Sequence, residues 1–177
     1  MEEAEDGARR GSCLMICLSI DPGSEKSAWV SYDSESKRPL NWGKIKNRAL
    51  LEQIDIDGEL LGVGVPWFDY CVIEKVASYG MAVGAEVFET VYWSGIFAQA
   101  FGLDHVVRIP RKDIKLHLCG RPQANDSNIR QALVDKYGGK DKAIGTKKTG
   151  YGPLHGFAHD TWSALAVAIT AAETVLK

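Results

Sequence analysis

The chain lacks the segments that would place it in a membrane or secreted class. It has no apolar run near the about 20 residues that span a bilayer, and residues 1–12 contain no apolar stretch typical of a secretion signal. Its four cysteines form no Cys-x-x-Cys pair, so the sequence predicts reduced, buried thiols. We therefore expect a cytoplasmic protein in which residues 1–12 are a disordered extension and residues 13–177 form a single domain.

Acidic residues are scarce in one part of the chain. Residues 108–148 contain 11 lysines and arginines against 4 acidic residues, whereas the rest contains 10 basic and 19 acidic residues. Such a split predicts that one face of the protein meets a polyanion. A solvated surface with an accidental bias is the alternative.

The stretch Met15–Gly23 organises the rest of the prediction. It is an apolar run that ends in Asp21 and is closed by Pro22-Gly23, which is typical of a buried strand. Such a strand delivers its last residue to the edge of the sheet, where α/β proteins place their chemistry. The sequence Asp-Pro-Gly is also common in turns, so Asp21 alone does not distinguish a functional site from a turn.

Two more carboxylates occupy comparable positions. Glu74 ends the apolar run Asp69–Lys75, and Asp160 begins the nearly all-apolar helix His159–Leu176, where it is also suited to a capping role. Three converging carboxylates repel one another unless a cation lies between them, and oxygen ligands favour Mg²⁺ or Mn²⁺. Two such ions about 3.5–4 Å apart support phosphodiester hydrolysis.

The remaining segments predict one mixed sheet covered by helices, an α/β architecture. The predicted strands are Lys26–Asp33, Pro39–Lys46 and His105–Ile109, and the predicted helices are Arg48–Gly62, Val83–Phe101, Lys112–Leu118 and Asp126–Tyr137. The Lys- and Gly-rich segment Lys140–Gly152 is predicted to be a mobile loop.

In four places the chain resembles the RuvC-type Holliday-junction resolvases, especially divergent forms carried by phages and prophages. The four are Ile20–Gly23, Val72–Glu74, the stretch from Pro110 through Ile114-Lys115 to Gly120, Ala124 and Ile129, and the helix Asp160–Thr170. The resemblance implies a ribonuclease H-like fold. That fold is a mixed five-stranded sheet, with three antiparallel strands followed by two parallel ones, flanked by helices.

The resemblance also implies a function, that of a divalent-metal-dependent endonuclease resolving four-way DNA junctions in recombination and repair. Asp21, Glu74 and Asp160 would be catalytic and would hold two Mg²⁺ or Mn²⁺ ions, and the products would carry a 5′-phosphate and a 3′-hydroxyl. Two symmetric cuts imply a homodimer, in the cytoplasm of a bacterial or phage-infected cell. No membrane and no small-molecule cofactor are expected.

Contacts to DNA are predicted at seven residues: Tyr79, Arg111, Lys112, Lys115, Arg121, Lys147 and Lys148. Tyr79 follows Glu74 and would stack on an unpaired base or else cover the end of the sheet. The basic residues suit phosphate contacts, although each alone is equally a solvated surface charge.

One position departs from the pattern of the family. The usual last helix carries two acids three residues apart, whereas Asp160 is followed at that spacing by Ser163. His159 would assist a metal-bound water or merely serve as a polar helix terminus. Ser163 favours an alternative function, a ribonuclease H-like module that binds structured nucleic acid without cutting it. A related nuclease with another substrate, such as RNA in a hybrid, is the third hypothesis.

Overall fold

The predicted mixed sheet is confirmed. The computed structural model describes residues 15–55, 68–78, 80 and 82–176. The strands of its central sheet are β1 (Ile16–Asp21), β2 (Lys26–Asp33), β3 (Arg38–Lys46), β4 (Tyr70–Lys75) and β5 (Val106–Pro110). Their order is β3-β2-β1-β4-β5, in which β2 runs antiparallel to both of its neighbours, β1 and β3, and β4 and β5 run parallel to β1.

The helices follow the sequence prediction closely. They are α1 (Asn47–Asp55), α2 (Ala85–Phe101), α3 (Arg111–Cys119), α4 (Asp126–Lys136), α5 (Lys140–Ala143) and α6 (Thr161–Thr174), with a 3-10 turn over Leu103–His105. Asn125 starts α4 with a capping box, since its side chain accepts from the Asn128 amide and the Asn128 side chain accepts in return. Part of the predicted helix Arg48–Gly62 lies outside the described residues, as do the extension at residues 1–12 and Cys13.

The prediction of a mobile loop over Lys140–Gly152 is wrong. This segment contains α5 and a small hairpin of β6 (Gly145–Thr146) and β7 (Gly150–Tyr151). The side chains of Thr146 and Thr149 accept from each other's amides and so close the turn between the strands. The two strands also need Gly145, because a Cβ there would lie 2.0 Å from the Gly150 carbonyl oxygen.

Each face of the sheet carries its own apolar core. Successive side chains of a strand point to opposite faces, so Cys17 packs under α6 while Leu18 packs on the other face with Phe97 of α2. α6 is buried along most of its length, and burial of a side chain such as Ile169 contributes about 1.5–3 kcal/mol. The Ser19 hydroxyl donates to the Ala164 carbonyl at 2.7 Å and so joins β1 directly to α6.

The three described cysteines are free thiols. Cys17 and Cys71 are free and buried, and Cys119 is free and partly buried. Burial raises the pKa of the Cys17 thiol to about 12, so it is an inert core residue. Within the part of the chain that the structure describes, no helix is both long and apolar enough to cross a membrane.

Candidate functional site

A row of paired residues crosses the sheet at the end of β1. Asp21 pairs with Ala28 of β2, and Ala28 pairs with Lys44 of β3. On the other side of β1, the residues just before Asp21 and Glu74 are paired across the parallel strands β1 and β4. Asp21 and Glu74 therefore occupy the next position of the same register and are neighbours.

All three predicted carboxylates lie on one face of the sheet. Cys17 of β1 and Val72 of β4 belong to the core under α6. Since alternate residues of a strand share a face, Asp21 and Glu74 point to that same side. Asp160 immediately precedes α6, the helix that covers this face. The fold thus brings together the three acids that the sequence singles out.

Asp160 is neutralised by a lysine. Its side chain does not cap α6, and its carboxylate instead accepts a short hydrogen bond from the Lys44 ammonium. Ala28, between Lys44 and Asp21 in the row, carries only a methyl group and leaves space for the lysine to extend towards the helix. Both partners are nearly half exposed, so this ion pair contributes only about 0–1 kcal/mol.

Glu74 is neutralised by an arginine. One guanidinium nitrogen of Arg111 donates to both carboxylate oxygens of Glu74, at 3.0 and 2.9 Å, and the other donates to Asp126 at 2.5 Å. Arg111 opens α3 directly after β5, the strand paired with β4, and this position places its guanidinium beside Glu74. The Glu74 side chain is only 12% exposed, so this charge-assisted pair is well shielded from solvent.

Asp21 has no such partner. No hydrogen bond or ion pair within the described ranges reaches its carboxylate. Its pKa is raised to about 8, first by burial and then by the charge of Glu74; Asp160 adds to the rise, and Arg111 and Lys44 oppose it. Burial also raises the pKa of Glu74, against the opposing effect of Arg111.

The carboxylates of Asp21, Glu74 and Asp160 are the type of ligand that a hard metal ion prefers, but their present arrangement does not form a metal site. No three acidic, histidine or cysteine side chains among the described residues are placed to hold a metal. However, the three acids offer only oxygen ligands, and the partly buried Asp21 carboxylate forms no ion pair with any residue that the structure describes. Asp21, Glu74 and Asp160 would hold a divalent cation once it displaces Lys44 from Asp160 and Arg111 from Glu74.

Solved structures of other proteins share this architecture. The structure of RuvC from Thermus thermophilus superposes with a TM-score of 0.62 at 18% sequence identity, covering 89% of this chain and 93% of that one. The chain has a RuvC-like fold. T. thermophilus RuvC in complex with a Holliday junction substrate gives a TM-score of 0.60 at 17% identity with the same coverage. No protein-family model and no curated protein matches the sequence.

Ser163 and His159, which the sequence suggests as additional residues of the site, both lie near Asp160. Ser163 lies one turn into α6 and is partly buried, and no hydrogen bond from the described residues reaches its hydroxyl. His159 is exposed and has φ +48°, a left-handed conformation that non-glycine residues rarely adopt. Such a conformation costs about 1–3 kcal/mol and persists only where the surrounding structure holds it. His159 directly precedes Asp160, the residue at which the chain enters α6.

The predicted DNA contacts fall into separate places. Arg111, Lys112 and Lys115 line an open pocket of about 300 Å³ next to Glu74. Arg121 donates to Asn128 near the start of α4. The remaining residues are Lys147 and Lys148, which are exposed in the hairpin turn, and Tyr79, which lies outside the described residues.

Sequence reasoning missed two features of this region. The alternation in β3 puts Lys44 on the same face as Trp42, which packs against the core under α6, and a lysine on an inward face is the signal that was available. The hairpin presents Tyr151 stacked on His155, with ring centroids 3.8 Å apart, in the strand that follows the two turn lysines. A loop assignment hides that pair, because stacking depends on the fold of the hairpin.

Proposed function

We propose that this protein is a divalent-metal-dependent endonuclease that cleaves branched DNA, as a Holliday-junction resolvase does. The observation that carries the proposal is the convergence of Asp21, Glu74 and Asp160 on one face of a RuvC-like sheet, beside a basic pocket. One solved structure with this fold is bound to a Holliday junction substrate.

The residues divide the chemistry between holding the ion and holding the DNA. Bound cations, two per site as the resemblance implies, would supply an activated water and stabilise the leaving oxygen. Asp21, Glu74 and Asp160 hold them, and Lys112 and Lys115 contact backbone phosphates. Arg111 both contacts Glu74 and lines the basic pocket, so one side chain lies between the carboxylates and the proposed phosphate contacts.

The test is cleavage of a labelled four-way junction, a matched duplex and an RNA–DNA hybrid, each with Mg²⁺ or with EDTA. We expect symmetric cuts in the junction that need Mg²⁺ and leave a 5′-phosphate and a 3′-hydroxyl. Cleavage confined to the duplex or hybrid would identify a nuclease of another specificity. Tight junction binding without cleavage in any divalent ion would identify a binding module, the second candidate that Ser163 favours.

We propose that the active form is a homodimer, because two symmetric cuts need two sites. α2 exposes Phe88 and Tyr92 by 64% and 62%, with Val91 between them also exposed. Their spacing puts them on one side of the helix, beside an open groove of about 560 Å³ that also includes Gly95 and Leu51. A contiguous apolar surface of this kind is typical of an interface.

The dimer predicts a change of mass on substitution. We expect sedimentation equilibrium to give twice the monomer mass for the wild type and the monomer mass for Phe88→Glu/Tyr92→Glu, because two charges cannot be buried there without partners. Val175→Glu, at another exposed apolar residue, is the control and should remain dimeric. A dimeric double variant would place the interface elsewhere.

Junction binding should weaken steeply with salt, and Lys115 should account for part of the slope. We expect Lys115→Ala to lower the slope of log K against log salt concentration by about 0.9, the release of one counterion, without changing the preference for branched DNA. Arg48→Ala, outside the basic segment, is the charge-matched control. An equal decrease of the slope in both variants would show a general charge effect and would mean that Lys115 does not contact a phosphate.

Ser163 tests how many acids the site needs. It shares a helix face with Asp160, and a hydroxyl is a neutral, weaker ligand than a carboxylate. We expect Ser163→Ala to lower the cleavage rate far less than Asp160→Asn does, and Ser163→Asp to be tolerated. An inert wild type that gains activity as Ser163→Asp would identify a natural binding module. A Ser163→Ala variant as inactive as Asp160→Asn would give the hydroxyl a direct catalytic role.

A further inference from the structure

A second charged cavity lies at the other end of the sheet from the carboxylates. Its volume is about 330 Å³, and its lining residues are Tyr32, Ser36, Lys37, Arg38, Lys136, Tyr137, Lys142 and Pro153. Tyr32 pairs with Cys17 near the start of β1, whereas Asp21 ends that strand. The two sites are therefore separated by roughly 13 Å along the sheet.

Four of the lining residues are basic, and three of them form no ion pair with any described residue. Lys136 pairs with Glu173 at 2.7 Å, and Glu173 is shared with His117. Lys37, Arg38 and Lys142 form no ion pair with any described residue. Like charges gathered around one cavity repel one another, and an anion between them removes that repulsion.

The hydroxyl groups of the cavity are already engaged in internal hydrogen bonds. The Tyr137 hydroxyl donates to the Lys37 carbonyl at 2.8 Å, and the hydroxyl of the buried Tyr32 is hydrogen-bonded to Tyr137. The Ser36 hydroxyl donates to the Asp33 carboxylate at 2.5 Å. The donors left for a ligand are the ammonium and guanidinium groups.

The fold places two of these cations rather than leaving them free. Lys37 has φ +56°, a strained conformation for a non-glycine residue, and the hydrogen bond from Tyr137 to its carbonyl holds the turn in place. The stem of Lys142 lies directly over Gly138, where an added Cβ would approach its Cδ to 2.9 Å. Strain and close packing both serve here to keep basic side chains around the cavity.

We propose that this cavity, built around Lys37, Arg38 and Lys142, binds a phosphate group, carried either by nucleic-acid backbone or by a free nucleotide. The planar guanidinium of Arg38 matches two phosphate oxygens, and the two lysines add point charges. Lys136 contributes less because Glu173 already neutralises it. Only the nucleic-acid source rests on the proposed function.

Calorimetric titration with inorganic phosphate and with dTMP tests the free ligand. We expect Arg38→Ala and Lys142→Ala each to weaken binding at least about 10-fold, as loss of a charge-assisted hydrogen bond does. Tyr137→Phe, which removes the hydrogen bond to Lys37 without changing any charge, should weaken it several-fold. Lys140→Ala, on the same short helix as Lys142 but not lining the cavity, is the matched control and should bind normally.

Fluorescence anisotropy of a labelled junction in EDTA tests the backbone source. If the cavity holds a backbone phosphate, Arg38→Ala should lower the salt slope by about 0.9 and Lys140→Ala should not. Weakened dTMP binding with an unchanged junction slope identifies the free nucleotide as the ligand. If neither dTMP nor junction binding distinguishes the cavity variants from Lys140→Ala, the proposal is overturned. A wild type that fails to bind junctions refutes the proposed function and leaves the titration to decide the cavity.

Discussion

Asp21→Asn is expected to stop cleavage and at the same time to stabilise the metal-free protein. The cleavage rate should fall by roughly 10²–10³-fold or more, the range for losing one preorganised electrostatic group. The fold should gain stability, because the variant removes a carboxyl group that folding either keeps protonated above its ordinary pKa or leaves charged without an ion pair to any described residue. Cleavage of a labelled junction and thermal unfolding in EDTA measure the two effects on one sample, and junction binding should persist.

The effect of Asp21 on stability should depend on pH in a defined direction. The folded protein keeps a proton on this carboxyl up to a pKa of about 8, whereas the unfolded chain loses it near 3.8. Its contribution to stability is therefore complete below about pH 3.8 and is lost as pH rises to about 8. The melting temperature of the wild type in EDTA should fall over that interval, and that of Asp21→Asn should fall less.

Two controls make this prediction specific. Asp141→Asn, at an exposed position of α5, should change neither cleavage nor the pH dependence of melting. Mg²⁺ at pH 8 should raise the melting temperature of the wild type more than that of Asp21→Asn, because the ion supplies the missing counter-charge. Near-normal Mg²⁺-dependent cutting by Asp21→Asn would remove this residue from the site.

Arg111→Met is expected to produce the largest loss of stability in the site. It leaves the Glu74 carboxylate, only 12% exposed, without its cation. Breaking a shielded pair from one side costs about 3–5 kcal/mol, because the remaining charge stays buried and unpaired. Urea unfolding in EDTA should show a loss near the lower end of that range, since Arg111 is 28% exposed.

The double variant separates charge from packing. Arg111→Met/Glu74→Gln should recover much of the lost free energy of unfolding, because position 74 no longer carries a charge that needs a cation. Lys44→Met breaks the half-exposed pair with Asp160 and should cost no more than about 1 kcal/mol. Mg²⁺ should stabilise Arg111→Met more than the wild type if the ion takes the place of the guanidinium. Equal losses in Arg111→Met and the double variant would mean that packing, rather than charge, explains the effect.

The parts of the fold that the sequence predicts well are those with a local pattern. β1 and β4 are apolar runs that end in or next to a carboxylate, and α6 is an apolar helix opened by Asp160. These patterns also predict which acids converge. The hairpin β6–β7 escapes such reasoning, because strands of two residues are too short for any alternation to appear.

The counter-ions of the site could not be predicted in the same way. Lys44 and Asp160 are 116 positions apart, and Arg111 and Glu74 are 37 apart. Which cation meets which carboxylate depends on strand register and on where α3 begins, and neither is encoded in a short stretch of residues. The carboxylates of this site can be predicted from the sequence because each lies at the end or the beginning of an element, whereas their partners can be identified only from the three-dimensional structure.

Because side chains alternate between the two faces of β1, the position of the Asp21 carboxylate depends on the number of residues in that strand. Asp21 shares its face with Cys17 and Ser19, so inserting or deleting one residue between them would turn the carboxylate to the face of α2 and bring Ile20 among the charges. The same holds for Val72 and Glu74 in β4. Insertions and deletions are therefore better tolerated in the connections than in these two strands. Inside either strand, a change of one residue moves both the apolar side chains and the acid to the wrong face.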